Sequence, residues 1–192
     1  MKKLNIKNWK HINCIRISCS ILKKGGIIVY PTDTVYGLGC DATNENAIKK
    51  INLIKNRQTP ISVMTHSTSI ISNWIAINNK YKDIVLKKFK SSNTVIVPIK
   101  KNIVSNLIVG KNNSLGIRIP KHKFCKKLTK YYPNPITTTS VNRTGEKPFT
   151  NPELIIKYFQ NEINLIVEDG ILDNKASKIF IFDNNKFILL RS

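Results

Sequence analysis

The apolar segments of this sequence are short, and they alternate with stretches that have the periodicity of amphipathic helices. Residues 27–30, 95–97 and 179–182 are each about as long as a buried strand. A membrane-spanning helix needs roughly 20 consecutive apolar residues, so none of these segments predicts one. Strands that alternate with helices, without a repeat or a linker, predict one α/β (α+β) domain over residues 1–192, with a mixed sheet.

Helices are predicted where apolar residues recur every three or four positions. Asn44 is predicted to cap the second helix, and Gly25 with Gly26 to end the first. The predicted helices cover residues 9–24, 44–55, 67–77, 81–89, 121–130 and 152–159. The predicted strands cover residues 27–30, 62–65, 94–98, 115–119, 136–139, 165–168, 179–182 and 187–190. Residues 31–39, which are rich in hydroxyl groups and glycine, are predicted to form a loop or an irregular strand.

The basic charge of the chain has two explanations that the sequence leaves open. A net charge of +21 favours a surface that attracts nucleic-acid phosphates. Lys, Asn and Ile are all used heavily, however, and all three have A/T-rich codons, so genome composition also explains the lysine count. The positive residues are spread along the chain without a block of five or six.

Arginine is scarce in this chain, which makes each arginine informative. Only five of the 32 basic residues are arginine. Where lysine is the common cation, an arginine indicates a place that needs the planar fork of a guanidinium. Four of the five lie in or beside the motifs described below, and these are Arg57, Arg118, Arg143 and Arg191. The fifth, Arg16, lies on the first predicted helix.

The N-terminal residues and the cysteines both indicate the cytoplasm. Residues 1–9 carry three lysines and lack the apolar segment and cleavage site of a signal peptide. Cys14, Cys19, Cys40 and Cys125 form no C-x-x-C pair and no zinc-like spacing with histidine. We therefore expect the cysteines to act as small apolar residues, and we expect neither a metal site nor a membrane partner.

The common catalytic motifs are absent from the sequence, and the remaining candidates are cationic or rich in hydroxyl groups. There is no G-x-x-x-x-G-K-[ST], no G-x-G-x-x-G and no G-x-S-x-G. Lys55 and Arg57, at the end of a predicted helix, either complement the helix dipole or hold a phosphate. Residues 136–142 end in consecutive Thr and Ser and form either a threonine-rich edge strand or a site for a small polar ligand.

Four segments, in the same order and spacing, resemble the YrdC/TsaC family of threonylcarbamoyl-AMP synthases. They are Tyr-Pro-Thr-Asp-Thr-Val-Tyr-Gly-Leu-Gly at residues 30–39, Lys55-x-Arg57, Arg118-Ile-Pro120, and Thr139-Ser-Val-Asn142 followed by Gly145 and Pro148. The resemblance runs from about Gly25 to the C-terminal residue. It implies a single YrdC-like domain of the short bacterial form, with a twisted mixed sheet flanked by helices and a concave basic cleft.

The resemblance also implies an enzyme, a nucleotidyltransferase of the L-threonylcarbamoyladenylate synthase type. The implied reaction converts L-threonine, bicarbonate or CO2 and ATP into threonylcarbamoyl-AMP and pyrophosphate. A separate threonylcarbamoyl transferase complex would then use the product to modify tRNA next to the anticodon. ATP is the substrate, Mg2+ is expected with the nucleotide, and tRNA is a further candidate partner.

By similarity, the site residues divide between two ligands. L-Threonine would be held by Thr34, His66, Arg118, Thr138 and Ser177. The nucleotide would be held by Lys55, Arg57, Ser114, Ser140, Asn142 and Arg191, and Lys55 and Arg57 would be the catalytic pair. Read alone, His66 is a surface histidine that opens a helix, but it lies nine residues after Arg57, where the resemblance implies a histidine that faces the ligand. A carbamate is already a nucleophile, so such a site needs positioning and positive charge rather than a catalytic triad.

The sequence departs from the family pattern at three places, and two other functions stay open. Ile61 stands where the family has Lys or Asn, Val141 stands where it has Ala, and residues 90–94 keep only the Thr of a P-G-P-x-T segment. These changes leave reduced activity open.

One alternative function is a non-catalytic module that binds tRNA or double-stranded RNA. The other is a carbamoyl-transfer domain, although such domains belong to much longer chains.

Overall fold

The computed structural model describes residues 5–58, 60–91 and 93–192. Its strands are β1 (Asn5–Asn8), β2 (Ile28–Tyr30), β3 (Gly37–Gly39), β4 (Ser62–Met64), β5 (Thr94–Pro98), β6 (Ser114–Arg118), β7 (Ile136–Ser140), β8 (Leu165–Glu168), β9 (Ile179–Asp183) and β10 (Lys186–Arg191). Its α-helices are α1 (Cys14–Lys23), α2 (Glu45–Lys55), α3 (Thr68–Trp74), α4 (Asn79–Lys88), α5 (Lys123–Tyr131) and α6 (Pro152–Phe159). Ser92, in the segment where the family's prolines are missing, lies outside the described residues, as does Thr59.

The strands form one sheet in the order β1-β8-β2-β3-β7-β4-β6-β5-β9-β10. The neighbours β1–β8, β2–β8, β4–β6 and β5–β9 are parallel. The neighbours β2–β3, β3–β7, β4–β7, β5–β6 and β9–β10 are antiparallel. The predicted mixed sheet flanked by helices is therefore confirmed.

Apolar side chains pack on both faces of this sheet. On one face, residues of α2, α3, α4 and α6 pack against β5 and β6, with Ile48, Ile71, Val85 and Phe159 among them. On the other face, α1 and α5 pack against β2 and β8 through a second apolar cluster. Alternate residues of one strand point to opposite faces, so a strand contributes to both layers.

The second face is covered by helices over only part of its width. Met64 of β4 and Ile136 of β7 belong to the apolar cluster that contains residues of α5. Ser62 and Thr138, two positions along the same strands and therefore on the same face, line an open cleft instead. The cleft thus begins where the cover of α5 ends, and strands of the sheet form its floor.

The sequence predicts three of the four ends of α1 and α2 to within about one residue. Asn44 caps α2, and its side chain accepts a hydrogen bond from the amide of Ala47 at 3.0 Å. Gly25 follows α1 with a φ of +69°, a left-handed conformation that glycine adopts without strain. The start of α1 was predicted at residue 9 and is wrong, because the helix begins at Cys14. Residues 9–13 form turns and a bend instead of helix. They follow β1, which pairs with β8, and Trp9 donates a hydrogen bond to Asp169 Oδ1 at 2.6 Å.

Two other features bear on the sequence predictions. The segment predicted as a loop or an irregular strand contains β3, which pairs with β2 and β7. Within the described ranges, no helix is both long enough and apolar enough to cross a membrane.

Candidate active site

The cleft on the open part of the sheet has a volume of about 380 Å3. Its charged lining residues are all basic within the part of the chain that the structure describes, and they are Lys55, Arg57, Arg118 and Arg191. The remaining polar lining is dominated by hydroxyl groups, contributed by Thr32, Thr34, Tyr36, Ser62, Thr94, Thr138, Thr139, Ser140, Thr144 and Ser177. A positive, hydroxyl-rich concavity of this size suits a small anionic ligand.

Arg118 lies on the floor of the cleft at the end of β6. Its Nη2 donates to Asp33 Oδ1 at 2.8 Å, and its Nη1 donates to Thr34 Oγ1 at 3.2 Å. Both partners belong to the loop between β2 and β3, so this loop holds the guanidinium in one orientation. Its Nε is buried and has no hydrogen-bond partner among the described residues. A buried donor without a partner is costly, and an anionic ligand would satisfy it.

Lys55 ends α2, and its side chain lines the same cleft as Arg118. Its ammonium donates to the backbone oxygen of Ser140 at 2.8 Å and to Asn142 Oδ1 at 2.6 Å. Two of its three N–H groups are therefore engaged. The pKa of Lys55 is lowered to about 8, mainly by burial and then by the nearby positive charges of Arg57 and Arg143. The side chain is only 2% exposed, so a ligand anion here would meet a cation that water screens poorly.

Arg57 and Arg191 complete the positive lining. Burial lowers the pKa of both guanidinium groups, although arginine stays charged at any ordinary pH. Arg57 Nε is buried and lacks a partner among the described residues, as Arg118 Nε does. Arg191 directs Nε and Nη2 at the backbone oxygen of Ser177, at 3.2 and 2.8 Å. This fork fixes the end of β10 against the segment that enters β9.

Hydroxyl groups form two pairs beside the arginines. Thr32 and Thr34 lie 2.9 Å apart between their Oγ1 atoms, and Thr94 Oγ1 lies 3.0 Å from Ser177 Oγ. Thr94 also faces Arg118 across the β5–β6 pairing. Each hydroxyl can both donate and accept, so these pairs can turn toward the carboxylate, amine or hydroxyl of a small ligand.

The fold brings nine of the eleven predicted site residues together in this one cleft. They are Thr34, Lys55, Arg57, Arg118, Thr138, Ser140, Asn142, Ser177 and Arg191. His66 and Ser114 are not in the lining that the described residues form. The ring of His66 places Nδ1 2.9 Å from the backbone oxygen of Thr129, and Ser114 begins β6 in a bridge with Gly110.

The sequence did not single out Thr32, Tyr36, Thr94 or Thr144, which also line the cleft. For Thr32 and Tyr36 a signal existed, because both lie in the hydroxyl-rich segment before β3. Ile61, at the position where the family has Lys or Asn, is 1% exposed and packs in the core on the opposite face of the sheet. Val141 belongs to the same core cluster.

The described residues give little support for a protein-held metal ion. They contain no group of three or more His, Cys, Asp or Glu side chains placed to hold one. Asp33, beside the cleft, is already paired with Arg118 at 2.8 Å. Mg2+ commonly binds through substrate phosphates and waters with one or two carboxylates, so here it would enter with the nucleotide.

The four cysteines are free. Burial raises the pKa of the Cys14 thiol to about 11 and that of Cys40 to about 12. Thiols with a raised pKa are poor nucleophiles and poor metal ligands. Cys14 and Cys125 pack in the apolar cluster beneath α1 and α5, where they act as small apolar residues.

Fold and cleft together define a class: a mixed α/β domain with a positively charged, hydroxyl-rich cleft on the open face of its sheet. The chain belongs to the Sua5/YciO/YrdC family, whose model, described as "Telomere recombination", matches residues 20–192. It is 27% identical over 181 residues to the threonylcarbamoyl-AMP synthase of Saccharophagus degradans, a match that covers 93% of this chain and 94% of the relative.

Relatives from Pyrococcus abyssi are longer than this chain. The threonylcarbamoyl-AMP synthase of that organism is 28% identical over 167 residues, which cover 86% of this chain and 48% of the relative. The crystal structure of P. abyssi Sua5 complexed with L-threonine superimposes with a TM-score of 0.86 at 26% identity, and covers 98% of this chain and 56% of that chain. This chain therefore spans about half the length of those relatives.

Proposed function

We propose that this protein is a nucleotidyltransferase that makes threonylcarbamoyl-AMP from L-threonine, bicarbonate or CO2 and ATP, with release of pyrophosphate. The observation that carries the proposal is the separation of cations inside one cleft. Arg118, on the sheet floor, has a buried Nε without a partner among the described residues, and Lys55 with Arg57 forms a second positive group at the end of α2. One group suits the carboxylate of an amino acid and the other suits a triphosphate.

The end of the cleft at Arg118 is assigned to L-threonine. A guanidinium that is already oriented by Asp33 and Thr34 can hold a carboxylate in a fixed position. Thr34, Thr138 and Ser177 supply hydroxyl groups around it. The related P. abyssi Sua5 has been crystallised with L-threonine, which supports this ligand. His66 stays a predicted contact outside the lining of the cleft, with its Nδ1 beside the backbone oxygen of Thr129.

The end of the cleft at α2 is assigned to the nucleotide. Lys55 and Arg57 there, together with Arg191 beside Ser177, would neutralise the triphosphate, and Ser140 and Asn142 would add hydrogen bonds from the end of β7. Ser114 stays a predicted contact outside the lining of the cleft. Any Mg2+ would accompany ATP as part of the substrate.

The proposed chemistry needs no protein nucleophile. The amine of L-threonine adds to CO2 and loses a proton to give a carbamate. A carbamate oxygen then attacks the α-phosphorus of ATP, and the bond to the β-phosphate oxygen breaks to release pyrophosphate. The protein holds the two reactants in line and balances the charge that develops on the phosphate oxygens. Lys55 and Arg57 are therefore the catalytic residues of this proposal.

The setting of the reaction is also part of the proposal. The product would pass to a separate threonylcarbamoyl transferase complex that modifies tRNA next to the anticodon, and tRNA is a further candidate partner. We assign the protein to the cytoplasm on the same basis. The relatives named as threonylcarbamoyl-AMP synthases support this setting.

The test is an assay of pyrophosphate release in which L-threonine, bicarbonate and ATP are omitted one at a time. We expect release only when all three are present. Two matched variants serve as a test and a control. Arg118→Lys keeps the positive charge but loses the planar guanidinium, and Arg16→Lys makes the same change at an exposed position of α1. Pyrophosphate release that ignores L-threonine would refute the proposal. RNA binding that weakens steeply with salt, without turnover, would support the non-catalytic alternative.

A further inference from the structure

The loop that follows β7 holds Lys55 by its backbone as well as by its side chain. The amide of Thr144 donates to the backbone oxygen of Lys55 at 3.0 Å, and Thr144 Oγ1 donates to the same oxygen at 2.7 Å. Asn142 accepts from the Lys55 ammonium at 2.6 Å. The last carbonyl groups of a helix have no partner within the helix, so this loop acts as the cap of α2.

Arg143 lies between these two residues and contacts the same helix end. Its Nη1 donates to the backbone oxygen of Ile54, the residue before Lys55. Its guanidinium also pairs with Glu162, with Nη1 3.0 Å from Oε2 and Nη2 2.6 Å from Oε1. The ring of Phe159 lies 5.0 Å from the guanidinium carbon. Arg143 therefore joins the end of α6 to the end of α2.

We propose that Arg143 is a positioning residue for the nucleotide end of the cleft. Fixed by Glu162, it holds the C-terminal turn of α2 so that Lys55 and Arg57 face the phosphates. This inference rests on the proposed function for the identity of the ligand. Arg143 does not line the cleft that the described residues form, so it acts through Lys55 and Arg57 rather than on the substrate.

The contacts of Arg143 need a guanidinium rather than any cation. Two N–H groups of one side chain bond the two carboxylate oxygens of Glu162 while it also bonds a backbone carbonyl, a geometry that suits the planar fork of a guanidinium better than the compact ammonium of lysine. In a chain where only five of 32 basic residues are arginine, this is a place where lysine does not suffice. The charge of Arg143 also helps to lower the pKa of Lys55, after burial and Arg57.

The first experiment needs no ligand. The pKa of Lys55 is measured by side-chain NMR titration in the wild type, in Arg143→Gln and in Arg143→Lys, with Arg16→Gln as the matched control. We expect Arg143→Gln to raise the pKa of Lys55, because a neighbouring positive charge is removed. Arg143→Lys is expected to raise it less, and Arg16→Gln is expected to leave it unchanged. An unchanged pKa in Arg143→Gln would contradict the coupling.

The second experiment measures binding of ATP and of L-threonine separately by calorimetry. Misplaced cations at the phosphates should weaken ATP binding in Arg143→Lys by roughly tenfold or more, with the affinity for L-threonine within about twofold. Glu162→Gln should also weaken ATP binding. The double variant should bind ATP no more weakly than the single variant with the lower ATP affinity, because the two residues act as one unit. A merely structural role would weaken both ligands together.

The outcomes separate this inference from the proposed function. If the wild type binds ATP but releases no pyrophosphate with L-threonine, the proposed function fails. The ATP affinity of the Arg143 variants still tests the positioning role of Arg143. If Arg143→Lys is folded and binds ATP within about twofold of the wild type, the inference fails whatever the reaction is. Should Arg143→Lys not fold, Glu162→Gln, whose side chain is 32% exposed, decides the question by the same comparison.

Discussion

The state of Lys55 makes binding of a triphosphate dependent on pH in a way that can be measured directly. Burial, Arg57 and Arg143 bring its pKa down to about 8, from an ordinary value of 10.5. A bound triphosphate places negative charge beside the ammonium, which favours the protonated form and raises the pKa again. We therefore expect the protein to take up a proton when ATP binds at mildly alkaline pH.

The size of this uptake follows from the pKa of the free protein. With a pKa of about 8, Lys55 is about half protonated at pH 8, so binding should take up about half a proton there. Near pH 6 the group is already protonated, and the uptake from Lys55 should approach zero. Calorimetric titration with ATP in buffers of different ionisation enthalpy measures the number of protons directly.

Lys55→Arg is the matched control because arginine keeps the charge and does not titrate in this range. Proton exchange that belongs to ATP or to other groups remains in the variant and is subtracted. The difference between wild type and variant should be near zero at pH 6 and about half a proton at pH 8. An equal number of protons for both proteins at pH 8 would refute the assignment of Lys55 to the phosphates.

Three further changes test the site and the fold. Arg118→Ala leaves Asp33 unpaired, with only 16% of the Asp33 side chain exposed. We therefore expect the unfolding free energy to fall by about 3 kcal/mol, which calorimetry should show as a thermal midpoint lower by about 6–12 °C. The same variant should weaken L-threonine about 10- to 150-fold and ATP far less, and an equal loss of both would contradict the role of Arg118. Gly37→Ala would place a Cβ 2.6 Å from the ring of fully buried Tyr30, so urea unfolding should show a loss of about 1–3 kcal/mol, and an unchanged midpoint would count against this packing. Lys55→Met removes the titrating group. Between about pH 8 and 10.5 the unfolded wild type binds more protons than the folded wild type, so the unfolding free energy of the wild type relative to the variant should rise with pH in that window. A difference in unfolding free energy that does not change with pH would mean that Lys55 keeps an ordinary pKa.

Elements with local signals could be predicted from the sequence, and elements that depend on distant partners could not. α6 has a proline at its start, α2 has Asn44 as its cap, and both were placed to within a residue. β1 has a single apolar residue in four, and it is a strand because it pairs with β8, about 160 residues away in the chain. β3 is Gly-Leu-Gly, which has little strand propensity of its own and is held between β2 and β7.

The same distinction explains the site. The scarcity of arginine and the family motifs indicated Arg57, Arg118 and Arg191, and the structure places all three in one cleft. The sequence could not show that Thr94 pairs with Arg118 across β5 and β6, because only the strand register brings them together. Nor could it show that the side chain at position 61 packs in the core of the opposite face.

The arginines of this chain are explained by geometry rather than by charge. Three of the four near the cleft use the fork of the guanidinium on fixed protein acceptors: Arg118 on Asp33 and Thr34, Arg143 on Glu162 and the carbonyl of Ile54, and Arg191 on the carbonyl of Ser177. A lysine would supply the same charge at each place but not the rigid, planar set of N–H groups that these contacts use. The buried Nε of Arg57, like that of Arg118, has no partner among the described residues, so a ligand is the natural acceptor for it. The net charge of +21 therefore says little about the site, and the positions where lysine has not replaced arginine say much more.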